Sequence, residues 1–172
     1  MLIEHGTYFQ QILGNRFKQE GFDLFFARQL TEAKNLIKRK KIDVTLLDLS
    51  VLKKEGLEMI EAIKQDTPLT EIITINNSDQ FGLSLDAMKM GAYDDILIPI
   101  DINALIHRIK AAGGQKKQNE RQRRSVFTAY QDAMMAAAFA EAGEAETAKT
   151  IAAKKSNRRK TSKGDKNDGR KR

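Results

Sequence analysis

Through its first 112 residues the chain alternates short apolar runs with longer amphipathic ones, and no other feature restricts its fold so tightly. The apolar runs fall at residues 2–3, 23–27, 44–49, 71–75 and 95–97. Rich in Val, Ile, Leu and Phe, they suit strands buried on both faces, as in a parallel sheet. Helical patterns lie between them at residues 8–20, 31–40, 56–64, 79–90 and 103–112. The second shows its period clearly: Ala33, Leu36 and Ile37 share one face, while Glu32, Lys34, Asn35 and Lys38 fall elsewhere. Thr31 and Asp101 are the expected N-caps of their helices.

Five βα units in this length imply an α/β domain of flavodoxin-like (βα)5 type, a doubly wound parallel sheet over residues 1–112. Ligand chemistry in such folds sits at the carboxyl ends of the strands.

The remainder has another character. Gly113-Gly114 ends the periodic region, and residues 113–124 read as a basic linker or the exposed start of a helix. Residues 125–153 are alanine-rich and read as a helical hairpin, residues 133–153 resembling one unit of a tetratricopeptide-like repeat. A single such unit cannot bury its own apolar face, so it is expected to dock on the first domain, on a second copy in a homodimer, or on a partner. Residues 154–172 hold ten Lys and Arg and two Asp with no large apolar residue, a composition that forms no core and predicts disorder. The charge follows the same division. Residues 1–113 carry 14 Lys and Arg against 16 Asp and Glu, a net of −2, and residues 114–172 carry 16 against 7, a net of +9.

Without cysteine, disulfides and thiolate metal sites are excluded. There is no apolar run long enough to span a membrane and no signal-peptide pattern at the start, so the reading is a soluble, cytoplasmic protein. No GxxxxGK[ST] loop, Gly-x-Ser-x-Gly elbow or His-rich metal motif occurs, which argues against an independent enzyme.

The strongest local signal is Asp43-Val-Thr-Leu-Leu-Asp48, an apolar strand closed by an aspartate, with Gly56-Leu-Glu58 eight residues on. A second block is Asp86-Ala-Met-Lys-Met-Gly91-Ala92-Tyr93-Asp94, followed by Pro99. With both blocks in register, residues 1–112 resemble the receiver domain of two-component response regulators. That resemblance implies a bacterial phosphorelay protein in which Asp48 accepts a phosphoryl group from a histidine kinase or a small phosphodonor. It also implies Mg²⁺ held by Glu4, Asp48 and the backbone carbonyl of Ser50, the oxygen donors that a hard cation prefers.

Several positions depart from the family pattern. His5 stands where a second acidic residue is usual. Asn76 replaces the hydroxyl residue that hydrogen-bonds the phosphoryl group, although its amide still offers donors. Ile98 replaces the phosphoryl-binding lysine, and losing a charge-assisted bond of roughly 1.5–3 kcal/mol would weaken a switch by more than ~10-fold. Asp95 replaces the aromatic switch residue, with Tyr93 two residues away on the same strand face. The leading function is therefore phosphorelay signalling without a recognisable DNA-binding output domain. The alternative is a phosphorylation-independent adaptor whose tail, through Lys154, Lys155, Arg158, Arg159 and Lys160, contacts nucleic acid, the ribosome or another acidic surface. Blander roles are read for His5 (surface or cap), His107 (helix face), Met88 and Met90 (helix packing) and Met134-Met135 (a helix contact surface).

Overall fold

The computed structural model describes residues 2–3 and 7–153, and the structural statements below concern those residues. Five parallel strands, β1 (Leu2–Ile3), β2 (Phe26–Ala27), β3 (Val44–Asp48), β4 (Glu71–Asn76) and β5 (Asp94–Leu97), form a sheet in the order β2-β1-β3-β4-β5. They alternate with helices α1 (Thr7–Gln19), α2 (Leu30–Arg39), α3 (Leu49–Asp66), α4 (Phe81–Lys89) and α5 (Ile102–Glu141). This is the flavodoxin-like arrangement that the alternation predicts, its strand order reversing between β1 and β3.

Each face of the sheet buries its own core. On one side Leu46, Ile73, Ile75 and Ile96 meet Leu13 and Phe17 of α1 and Leu105, Ile106, Ile109 and Ala112 of α5. On the other, Leu47 and Ile72 meet Ala33 and Ile37 of α2, Met59, Ile60 and Ile63 of α3, and Ala87 of α4. The central strands are apolar on both faces because both are covered.

Polar contacts fix the helices to this frame. Arg108 of α5 donates to both carboxylate oxygens of Asp94, each at 2.7 Å. Lys110 pairs with Glu20 at 2.7 Å, which holds the Glu20 carboxyl below its ordinary value of 4.5. Asp101 caps α5 as expected, its Oδ1 accepting from the amides of Asn103 and Ala104.

Other boundaries differ from the sequence reading, each for a local reason. Helix α2 begins at Leu30 with Gln29 at the cap position, so Thr31 lies inside the helix. β2 is two residues long where a run of five was expected. α3 starts at Leu49, because Asp48 caps it and Leu49 and Leu52 are buried, and it kinks at Lys53 (φ 48°). Gly56 is needed for space: a Cβ there would lie 2.2 Å from Leu49 Cδ2. The eight-residue spacing from Asp48 thus reflects close packing of the first turn on the rest of α3.

The largest departure concerns Gly113-Gly114, through which α5 continues unbroken. Tertiary contacts carry the helix past them. Ala112 is fully buried, and Lys116, counted with the basic linker by sequence, is only 5% exposed. Its ammonium donates to the Ile42 carbonyl at 2.6 Å and pairs with Asp43 at 3.1 Å. The described residues divide into two compact units, with the boundary between Asn119 and Glu120. In the second, α5 runs to Glu141, a turn follows, and residues 145–153 are helical.

Lys116→Met is expected to lower stability by about 1.5–3 kcal/mol, because it deletes a charge-assisted bond to the Ile42 carbonyl and leaves that oxygen only the Thr70 hydroxyl at 3.0 Å. Urea unfolding measures this, and Lys117→Met, at the exposed neighbour, is expected to stay within about 0.5 kcal/mol of wild type.

Candidate functional site

The carboxyl edge of the sheet is set by the β3–β4 ladder, in which Val44 pairs with Glu71 and Asp48 with Ile75. Asp48 therefore closes β3, and Asn76 extends β4 one residue further. β1 joins from the other side with Leu2 opposite Leu46 and Ile3 opposite Leu47. Glu4 follows Ile3 in the sequence, but Glu4 and His5 lie outside the described residues.

Asp48 is 8% exposed. One oxygen, Oδ1, accepts from the Ser50 amide at 2.9 Å and from the Ser50 hydroxyl at 2.5 Å. Oδ2 carries no hydrogen bond from the described residues. The carboxylate is oriented through one oxygen and available through the other.

A separate polar network lies on the α3–α4 side of the sheet. Asn76, fully buried, donates through Nδ2 to Ser84 Oγ of α4 at 2.9 Å and to Asp95 Oδ1 at 3.3 Å. Thr74, also fully buried, donates to the same Asp95 oxygen at 2.5 Å. The Asn76 amide is fixed by these partners, since turning it over would set its carbonyl against the Asp95 carboxylate. In this orientation Asn76 Oδ1 is buried with no partner among the described residues. Two of the expected site residues, Asn76 and Asp95, are thus brought into direct contact.

The sequence reading missed Thr74 and Ser84. Thr74 was discernible as a hydroxyl two residues before Asn76, hence on the same face of β4. Ser84 had no such signal, because its role depends on how α4 packs. Tyr93 packs part-buried against the α1–α5 core, away from the Thr74–Asn76–Asp95 contacts. Ile98 precedes Pro99 through a cis peptide bond and is 41% exposed. His107 is exposed on α5, and Lys154, Lys155, Arg158, Arg159 and Lys160 lie outside the described residues.

Asp48 and Ser50 offer oxygen donors, a carboxylate and a backbone carbonyl, which suits a hard divalent cation in kind. Among the described residues there is no cluster of three or more His, Cys, Asp or Glu that could hold a metal, so a complete set would draw on residues outside them. No helix among the described residues is long and apolar enough to cross a membrane.

Comparison with known proteins places these features in context. Residues 1–110 match the family model described as the response regulator receiver domain. An NtrX-like response regulator of Rickettsia typhi is 30% identical over 114 residues, covering 65% of this chain and 24% of that protein. The photosynthetic apparatus regulatory protein RegA of Rhodobacter capsulatus is 24% identical over 113 residues, covering 66% of this chain and 61% of that one. The chain therefore spans about a quarter of the length of the NtrX-like relatives and about three-fifths of RegA. Among solved structures, the receiver domain of NtrX from Brucella abortus superposes with a TM-score of 0.61 at 21% identity, covering 66% of this chain and 96% of that one. A response regulator from Thermotoga maritima gives 0.61 at 25% identity, covering 66% and 95%.

Asp95→Ala removes the acceptor shared by two fully buried donors; Thr74 keeps the Asp94 carbonyl at 3.3 Å as an alternative acceptor, while one N–H of Asn76 is stranded. Chemical denaturation is expected to show a loss of about 1–3 kcal/mol, with Asp95→Asn, which keeps an acceptor oxygen, losing less.

Proposed function

Because the chain belongs to the response regulator receiver family, we propose that it works in two-component signalling as a phosphorylatable receiver, with Asp48 as the acceptor. The observation that carries this reading is the Asp48 carboxylate at the end of β3, held through Oδ1 by Ser50 and open at Oδ2. Oδ2 attacks phosphorus, the bond to a kinase imidazole or to a small donor's leaving oxygen breaks, and an aspartyl phosphate forms. Phosphoryl transfer depends on positioning and charge stabilisation, so little covalent chemistry is asked of the protein beyond this oxygen. Mg²⁺, held by Asp48, the Ser50 carbonyl and Glu4, would supply neutralisation of the phosphoryl charge.

The Asn76–Asp95 contact gives the signal a route. A phosphoryl group on Asp48 adds negative charge near Asn76 and competes for the amide donors that now serve Asp95. The same charge repels the Asp95 carboxylate, so release of Asp95 from Thr74 and Asn76 takes the place of a rotating aromatic ring. The change reaches the surface along α4, through Ser84. There Phe81, Leu85 and Met88 share one exposed face, the apolar surface on which a signalling partner would dock. The activity is that of a signalling module and not of an independent enzyme.

Ile98 favours a second reading, an adaptor that uses this surface without phosphorylation, because no ammonium stands at that position to hold a phosphoryl group. In that version the basic residues 154–172 provide a contact to nucleic acid or another acidic partner.

Incubation with labelled acetyl phosphate and Mg²⁺ separates the two. Label is expected on the wild-type chain and is expected to vanish in Asp48→Asn. Equal labelling of both, or none of either, would reject Asp48 as acceptor and leave the adaptor reading.

A further inference from the structure

Beyond residue 120, one side of α5 is apolar and open to solvent. Val126, Phe127, Tyr130, Met134 and Met135 are each at least 50% exposed. At 3.6 residues per turn they cover about half of the helix circumference. The opposite half carries Ala129, Asp132, Ala136 and Phe139, all half-buried. Gly143 (φ 79°) ends the helix with the Glu144 amide donating to the Phe139 carbonyl at 2.9 Å and its own amide to Ala140 at 3.2 Å. Ala148 and Ile151 of the next helical stretch are likewise half-buried. The helix thus has one half-buried side and one exposed apolar side. Five large apolar side chains in one exposed stripe exceed the scattered exposure normal for a surface.

Charge identifies what covers the stripe. On its N-terminal side, residues 117–124 hold Lys117, Arg121, Arg123 and Arg124 against the single acid Glu120, while the buried Lys116 is occupied by Ile42 and Asp43. On its C-terminal side, residues 125–148 contain no Lys or Arg, and Asp132, Glu141 and Glu144 supply negative charge, Glu146 being paired with Lys149 at 2.9 Å. A second helix of the same sequence laid parallel would set like charge against like. Laid antiparallel, it sets basic against acidic at both ends of the stripe, an arrangement that selects partner and register together.

We propose that this face of α5 pairs with its counterpart on a second copy of the chain in an antiparallel homodimer. The axis falls between Tyr130 and Gln131. Phe127 of one copy then meets Met134 of the other, Val126 meets Met135, and the basic segment around Arg121 lies beside Glu141. The inference stands independently of phosphorylation at Asp48.

Sedimentation equilibrium of the full chain tests it. At low salt the mass is expected to be twice 19.4 kDa, reverting towards the monomer as salt screens the flanking charges. The variant Phe127→Glu/Tyr130→Glu/Met134→Glu is expected to be monomeric, with an unchanged cooperative unfolding transition for residues 1–119, because the three positions are exposed. Orientation is read by cross-linking, which is clean because the chain has no cysteine. A mixture of Arg124→Cys and Ala137→Cys chains is expected to form the mixed disulfide, and Arg124→Cys alone none. A wild-type chain that stays at monomer mass at all concentrations, a triple variant that still dimerises, or a dominant 124–124 cross-link would each overturn the proposal.

Discussion

Five consecutive residue pairs between β3 and β4, from Val44 opposite Glu71 to Asp48 opposite Ile75, are the constraint on which the rest of the receiver depends. Their register decides which side chains enter which core: Leu46, Ile73 and Ile75 face α1 and α5, while Leu47 and Ile72 face α2, α3 and α4. A slip of one residue would exchange the two sets and bring Thr74 and Asn76 to the wrong side. The same register sets Asp48 at the edge with Asn76 one residue beyond it. Burial of apolar side chains on both faces thus holds the polar groups of the site in place at one end of the sheet.

At that edge two positions that the resemblance marks as departures, Asn76 and Asp95, are linked in the structure. The Asp95 carboxylate would be unfavourable beneath the sheet edge without donors, and Thr74 and Asn76 supply them. Asn76 serves this carboxylate better than a hydroxyl would, since its NH₂ reaches both Asp95 and Ser84 at once. The two substitutions that looked like separate losses in the sequence are one hydrogen-bonded arrangement in space. Any switch built on it works by competition for donors and by like-charge repulsion.

The strand and helix order was legible because burial on both faces leaves continuous apolar runs, and Asp48 because a carboxylate closes such a run. Boundaries were less so. Leu49–Leu52 read as strand end and loop, yet the Asp48 cap and the burial of Leu49 and Leu52 make it a helical turn. Gly113-Gly114 read as a stop, but local propensity there is outweighed by the anchoring of Ala112 and Lys116. Lys116 itself shows why a charge count misleads: composition assigns it to a basic surface, and only packing reveals that its stem is buried and its ammonium tied to Ile42 and Asp43. Ser84 was invisible for the same reason, since a serine in an amphipathic helix carries no mark of what faces it.

The central proposal is that the carboxylate closing β3 accepts a phosphoryl group through its open oxygen. Fluorine NMR of the full chain with beryllofluoride and Mg²⁺ addresses it most directly, because the adduct mimics the aspartyl phosphate without requiring a kinase. Protein-bound fluorine resonances that disappear in Asp48→Asn are the expected result. Their absence at saturating beryllofluoride, or their persistence in Asp48→Asn, would contradict it.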